Sequence, residues 1–216
     1  MKVLGEVLES EQSRLSSNLR SGEKGRELPM ASVTGYFGEL ARNNAWSNYR
    51  LLKACAQLTQ AAFTAPRTGF FPSIQTTLNH ILTVDWFYLD VLEEGGLGRS
   101  VYDNEIPCTT AKELIAAQRL VDQRLIDVCD ALTEARLLKP VKLLRDDGNT
   151  HIDRTDRVLT HLFVHQIHHR GQVHAMLSGT IVKPPQLDEF MLATDAPLRA
   201  TDLQELGIDE SDMWQS

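Results

Sequence analysis

Between Val33 and Gly179 the apolar residues of this chain return every three or four positions in four separate stretches, with glycine, proline or capping residues between them. That period belongs to helices with one buried face, and four such helices in one chain cover their faces by packing on one another. The first runs from Val33 to about Leu58, with Phe37, Leu40, Ala41, Asn44, Leu51, Cys55 and Leu58 on one stripe, and the Pro66–Gly69 region breaks it. Ser73 caps the second, whose face carries Ile74, Leu78, Ile81, Leu82, Trp86, Leu89 and Leu92 and which Gly95-Gly96 closes. Thr110-x-x-Glu113 is a capping box that opens the third, followed by Leu114, Ala117, Val121, Leu125, Val128 and Leu132.

The segment from Val141 to Ile152 differs in kind: Asp147-Gly148 lies between two short β-tolerant runs, which predicts a small hairpin. Asp153 or Thr155 then starts the fourth helix, which ends near Gly179. The predicted fold is therefore all-α, a four-helix bundle with a small hairpin between helices 3 and 4. Residues 1–30 are polar with little periodicity and read as a flexible extension or a weak helix, with Met30 a candidate start. Residues 31–183 make the bundle, and 184–216, opened by Pro184-Pro185, form a tail that packs on it or trails from it.

The charge is unevenly placed. Of the net −7, the tail contributes eight acids against the single base Arg199, so residues 1–183 balance at 21 acids and 21 bases. A neutral body with an acidic tail has no electrostatic footprint for nucleic acid. No apolar run approaches the roughly 18 residues of a membrane span, and the N-terminus MKVLGEVLESEQSRL lacks the apolar region of a secretion signal. Cys55, Cys108 and Cys129 are far apart with no CxxC, which excludes a thiolate zinc knuckle and a disulfide scaffold and points to a reducing compartment. The expected location is the cytoplasm.

Five of the seven histidines fall within HLFVHQIHHRGQVH, residues 161–174. On a helix His165 and His169 stand one turn apart on the same face, a spacing at which two imidazoles reach one metal ion. They border the apolar stripe of Val158, Leu162, Val173, Met176 and Leu177, where an unpaired imidazole is costly to bury. A bundle places its third ligand on a facing helix. Only His80 and His151 remain; His151 lies in the hairpin or its exit, whereas His80 is mid-helix in the second helix and is the natural partner. His161 reads as a surface or supporting residue, with a fourth ligand as the alternative, and His168 and His174 read as surface residues. Arg170 reads as a salt bridge fixing the fourth helix to a neighbour, the alternative being an anion site. Gln172 is placed to support a ligating histidine from outside. Trp46 and Asn48 read as packing and hydrogen-bonding residues, and Cys55 and Cys129 as small buried hydrophobes. No Ser-His-Asp arrangement, phosphate loop or paired carboxylates on an apolar face is evident, which disfavours chemistry run by protein side chains.

Several ordered motifs carry a family resemblance. LNHILTVDWFYLDVL around His80, HxxxHRGQ from His165 to Gln172, ARNNAWSNYRLL with Trp46 and Asn48, and QLDEF from Gln186 to Phe190 together resemble the DinB/YfiT-like superfamily over roughly residues 31–206. The resemblance implies an up-down-down-up bundle with a three-histidine metal site at His80, His165 and His169, taking zinc, nickel or iron. It implies a homodimer as well; the adjacent rings Trp86, Phe87 and Tyr88 point in three directions, which leaves at least one of them for a partner surface or for the hairpin. Some such proteins are thiol-dependent transferases or isomerases using bacillithiol, mycothiol or glutathione. Two function classes follow. One is a metal-dependent transferase or hydrolase that activates water or a low-molecular-weight thiol against a small-molecule substrate; the other is a non-catalytic metal-binding stress-response protein.

Overall fold

The computed structural model describes residues 32–144, 148–188 and 192–214. The predicted 1–30 extension, Asp147 of the predicted turn and Glu189-Phe190 of the QLDEF motif lie outside the described residues. Helix α1 spans Val33–Cys55, with Ser32 Oγ accepting from the Gly35 amide at 3.0 Å. Leu58, expected as its last stripe residue, falls beyond its end, because Thr59 caps a new short helix, α2, Gln60–Thr64. Helix α3, Ile74–Glu93, opens on a reciprocal capping box between Ser73 and Thr76, and α4, Ala111–Asp130, on one between Thr110 and Glu113. The short α5, Glu134–Leu137, leads to the antiparallel strands β1, Pro140–Leu144, and β2, Thr150–Arg154, in register from Pro140 opposite Arg154 to Leu144 opposite Thr150. Helix α6, Thr155–Ser178, follows directly, and α7, Ala196–Leu206, comes after the loop.

The end of α3 departs from the expectation of a glycine cap. The left-handed residue is Glu94, at φ 57°. Asp90 explains it: its carboxylate accepts from the amides of Leu97 at 3.1 Å and Gly98 at 2.9 Å and so folds the chain back over the helix end. Gly95 serves close approach, since a Cβ there would run into that carboxylate.

Cross-helix partners fix the direction of each long helix. Arg42 forms a two-pronged pair with Asp130 at 2.7 Å, and Asn48 donates to Asp122 at 2.9 Å, so α1 and α4 are antiparallel. Phe37 stacks on Phe163 and Asn48 meets Arg170, so α1 and α6 are parallel. Asp85 meets Gln118 while Glu93 meets Arg124, so α3 and α4 are parallel. In chain order the four long helices therefore run up, down, down, up, around one apolar core. The segment 192–214 packs on α1: Trp46 is buried against Leu203 and Met213, and the buried Arg199 pairs with Glu210.

The rings of α3 find their partners within the chain. Phe87 packs on Tyr102 at 5.6 Å, Tyr88 on His161 at 5.3 Å, and Trp86 lies half-buried against the core. Among the described residues no helix is long and apolar enough to cross a membrane.

Candidate metal centre

Because α3 and α6 run antiparallel, the middle of one faces the middle of the other. His80 from α3 meets His165 and His169, one turn apart on α6, and one ring nitrogen from each lies within 4.8 Å of the other two. His80 Nε2 and His165 Nε2 are 3.0 Å apart, and the three ring centroids are separated by 4.4 to 5.0 Å. Ligand bonds of 2.0–2.1 Å in a tetrahedral zinc site put neighbouring nitrogens about 3.3 Å apart, so the donor set fits one small divalent ion. His169 Nδ1 donates to Gln172 Oε1 at 2.9 Å, which leaves Nε2 as the free lone pair, and Gln172 in turn reaches His168 Nε2 at 3.0 Å. Burial pushes the pKa of His80 down to about 4 and that of His165 to about 3, with the neighbouring imidazoles adding to both, so these rings are neutral at pH 7 as ligands must be.

The other histidines add no nitrogen to the trio, although the His168 ring meets that of His169 edge to face at 4.8 Å. His161 is exposed, 6.4 Å from His165 between ring centroids, and His168 is exposed beside Gln172. His174, expected at the surface, is half-buried, with its Nε2 3.0 Å from the carbonyl oxygen of Pro185. His151 is exposed on β2. The trio opens on a cleft of about 800 Å³, where Phe71 stands 4.4 Å from His80 and 5.7 Å from His169.

The sequence model of the DinB family matches residues 30–202. This chain belongs to the DinB family. Two solved structures share its fold. A DinB-like protein from Bacillus cereus ATCC 10987 aligns with TM-score 0.52 at 18% identity, over 68% of this chain and 94% of that one. A DinB-like protein from Bacillus subtilis aligns with TM-score 0.51 at 17% identity, over 68% and 96%. At such identities the likeness concerns the fold alone. A search of curated proteins gives no match.

Next to the histidines this DinB family protein carries a buried polar cluster in which carboxylates from two different helices are joined through one glutamine amide. Asp85 of α3 and Asp122 of α4 are both buried, bridged by Gln118, whose Nε2 donates to Asp85 Oδ2 at 2.8 Å and to Asp122 Oδ1 at 3.1 Å. Gln166 of α6 also donates to Asp85 Oδ2, and Asn44 and Asn48 of α1 donate to Asp122. Arg170 is buried here as well, donating to the side-chain oxygens of Asn44, Asn48 and Gln166. It does fix α6 to a neighbour, through amides rather than a direct ion pair.

Desolvation raises Asp85 to about 8 and Asp122 to about 6, and lowers Arg170 to about 10. Burial and the neighbouring Asp122 thus favour the protonated form of Asp85, while Arg170 and the donated amides favour the ionised form of Asp122. A carboxyl whose pKa is higher folded than unfolded favours the fold at low pH, and this contribution is lost as pH rises through 6 and 8. Asp85→Asn, uncharged at every pH, should remove the upper part of that loss. Between pH 6 and pH 8 the wild type should lose ground to the variant by about 1.4 kcal/mol per pH unit, and above pH 8, where Asp85 is ionised in both folded and unfolded chains, the difference should level off. Urea unfolding of both proteins at pH 6 and pH 9 reads this directly, and parallel pH dependence would mean that Asp85 is already ionised at neutral pH.

Proposed function

We propose that this DinB family protein binds one divalent ion, zinc, nickel or iron, through His80, His165 and His169, and is a metal-dependent enzyme of the thiol transferase or hydrolase type. The observation that carries the reading is the convergence of three neutral imidazole nitrogens within 4.8 Å at the floor of an open cleft. Three protein ligands leave coordination positions for small molecules, which is the pattern of catalytic rather than structural sites. Such an ion, when bound, lowers the pKa of a coordinated water or thiol and supplies a nucleophile near neutral pH. Gln172 orients His169 by accepting from Nδ1. The protein's own thiols are poor candidates for that role: all three are buried, and desolvation pushes Cys55 and Cys129 up to about 12. The open cleft argues against the alternative of a closed storage site.

Two measurements test this. Purified protein loaded with zinc, nickel or iron and then desalted should retain about one ion per chain, and turnover of model electrophiles should require both the ion and added bacillithiol, mycothiol, glutathione or water. Desalted protein that keeps no metal would end the proposal; metal without turnover under any nucleophile would leave the storage reading in its place. Acid sharpens the assignment. Because burial lowers the histidine pKa values, occupancy should persist below the ordinary histidine value of about 6.5 and fail only as the pH drops towards 4 and 3. Release with a midpoint near 6.5 would place the ion on exposed histidines instead.

A further inference from the structure

We propose that the cleft above the three histidines is built for a flat, apolar, ring-bearing small molecule that turns a metal-coordinating head towards His80, His165 and His169. The inference rests on the metal reading above and adds the chemical class of what enters. Four separate parts of the chain send apolar or aromatic side chains to the cleft: Phe70 and Phe71 from the loop before α3, Phe87 from α3, Tyr102 and Ile106 from the segment after it, and Leu144 from β1. Phe70 and Phe71 meet edge to face at 5.0 Å, and Phe87 and Tyr102 lie at 5.6 Å, which leaves ring faces and edges along the walls.

Phe70 is 80% exposed and Leu144 40% exposed, apolar surface that water covers poorly and an apolar guest would cover well. Formal charge is nearly absent. Among the described lining residues only Arg99 and Glu105 are charged apart from the histidines, and they cancel, so the walls select neither a strongly anionic nor a strongly cationic body. The volume of about 800 Å³ lies in the range of pockets that enclose drug-sized ligands.

The phenylalanine wall is already held in place. The Arg67 amide donates to the Pro72 carbonyl at 2.7 Å, and its guanidinium to the Ala62 carbonyl at 2.7 Å, which closes the loop carrying both rings. Gly69 brings that loop against the Met176 methyl of α6, 2.5 Å from where a Cβ would stand. A guest therefore meets a formed wall and does not have to order one.

The test uses the full-length protein loaded with cobalt(II), whose visible absorption reports what joins the ion, titrated in parallel with imidazole and 4-phenylimidazole. Both ligands offer the same head, and only one carries the ring. The ring should lower the half-saturation concentration about tenfold or more, as burial of a phenyl group on an apolar wall predicts. Phe70→Ala/Leu144→Ser, which changes only exposed wall residues, should shrink that ratio to about threefold or less while the imidazole titration stays where it was. Equal affinity of the two ligands on cobalt-loaded protein would overturn this inference and leave the metal reading intact. A variant that weakens imidazole and 4-phenylimidazole alike would also overturn it, since the wall would then be supporting the histidines and not the ring. Protein that takes up no cobalt removes the metal reading and this one with it.

Discussion

Arg170→Met will destabilise the bundle by about 3–5 kcal/mol, the cost of leaving a buried charge without its counter-charge. Methionine keeps the helix propensity and fills much of the volume, so the loss isolates the guanidinium. Without it Asp122 loses the positive charge that holds its carboxyl down and is pushed further up by burial, and the side-chain oxygens of Asn44, Asn48 and Gln166 each lose a donor. Since domains of this size have only about 5–15 kcal/mol in hand, the variant should unfold at markedly lower urea. The double variant Arg170→Met/Asp122→Asn removes the stranded charge and should recover part of the loss, giving a coupling of at least about 1 kcal/mol in a double-mutant cycle. Additive losses, or a single-variant cost under about 1 kcal/mol, would show that Arg170 and Asp122 do not sense one another and that the cluster is solvated.

What was legible in the sequence divides along a physical line. Ser73 and Thr110 announced their helices because a capping box closes within three residues of its start, and α3 and α4 begin where those residues predict. The C-terminus of α3 differs from the glycine cap that Gly95-Gly96 suggests because it is set by Asp90 reaching to the amides of Leu97 and Gly98, a bond that the glycine pair does not advertise. His80, His165 and His169 could be grouped because the i, i+4 spacing is local and a bundle leaves few mid-helix histidines to choose from; the structure brings those three together. The Asp85–Asp122–Arg170 cluster could not be assembled in the same way. Asp85 falls in phase with Ile81, Leu82 and Leu89, and Asp122 with Leu125 and Cys129, so each looks like a lone polar break in an apolar stripe. Only the packing of four helices turns those breaks into partners. The cleft walls were hidden for a related reason: Phe70, Phe71, Tyr102 and Leu144 come from loops and a strand end whose placement is decided by tertiary contacts.

His165→Ala and His169→Ala will each weaken metal binding by more than about 100-fold, while His168→Ala will change it by less than about threefold. The bound for the ligands follows from the lesser case: even an outer hydrogen-bond partner of a ligating histidine is worth about 10–100-fold. Gln172→Ala should fall in that intermediate range, since it removes the acceptor that holds His169 Nδ1 and frees the ring to turn. His168 touches Gln172 and the edge of the His169 ring but contributes no nitrogen to the cluster, which makes it the control on the same helix. Stability gives an independent readout, because an ion that binds only the folded chain raises Tm with concentration. Saturating metal should therefore raise the Tm of the wild type and of His168→Ala and leave that of His165→Ala unmoved. Removal of His80 isolates the cross-helix contribution: α6 alone then offers two imidazoles, and the ion no longer ties α6 to α3. A His80→Ala/His169→Ala protein that still carried a full equivalent of metal after desalting would place the ion elsewhere on the chain.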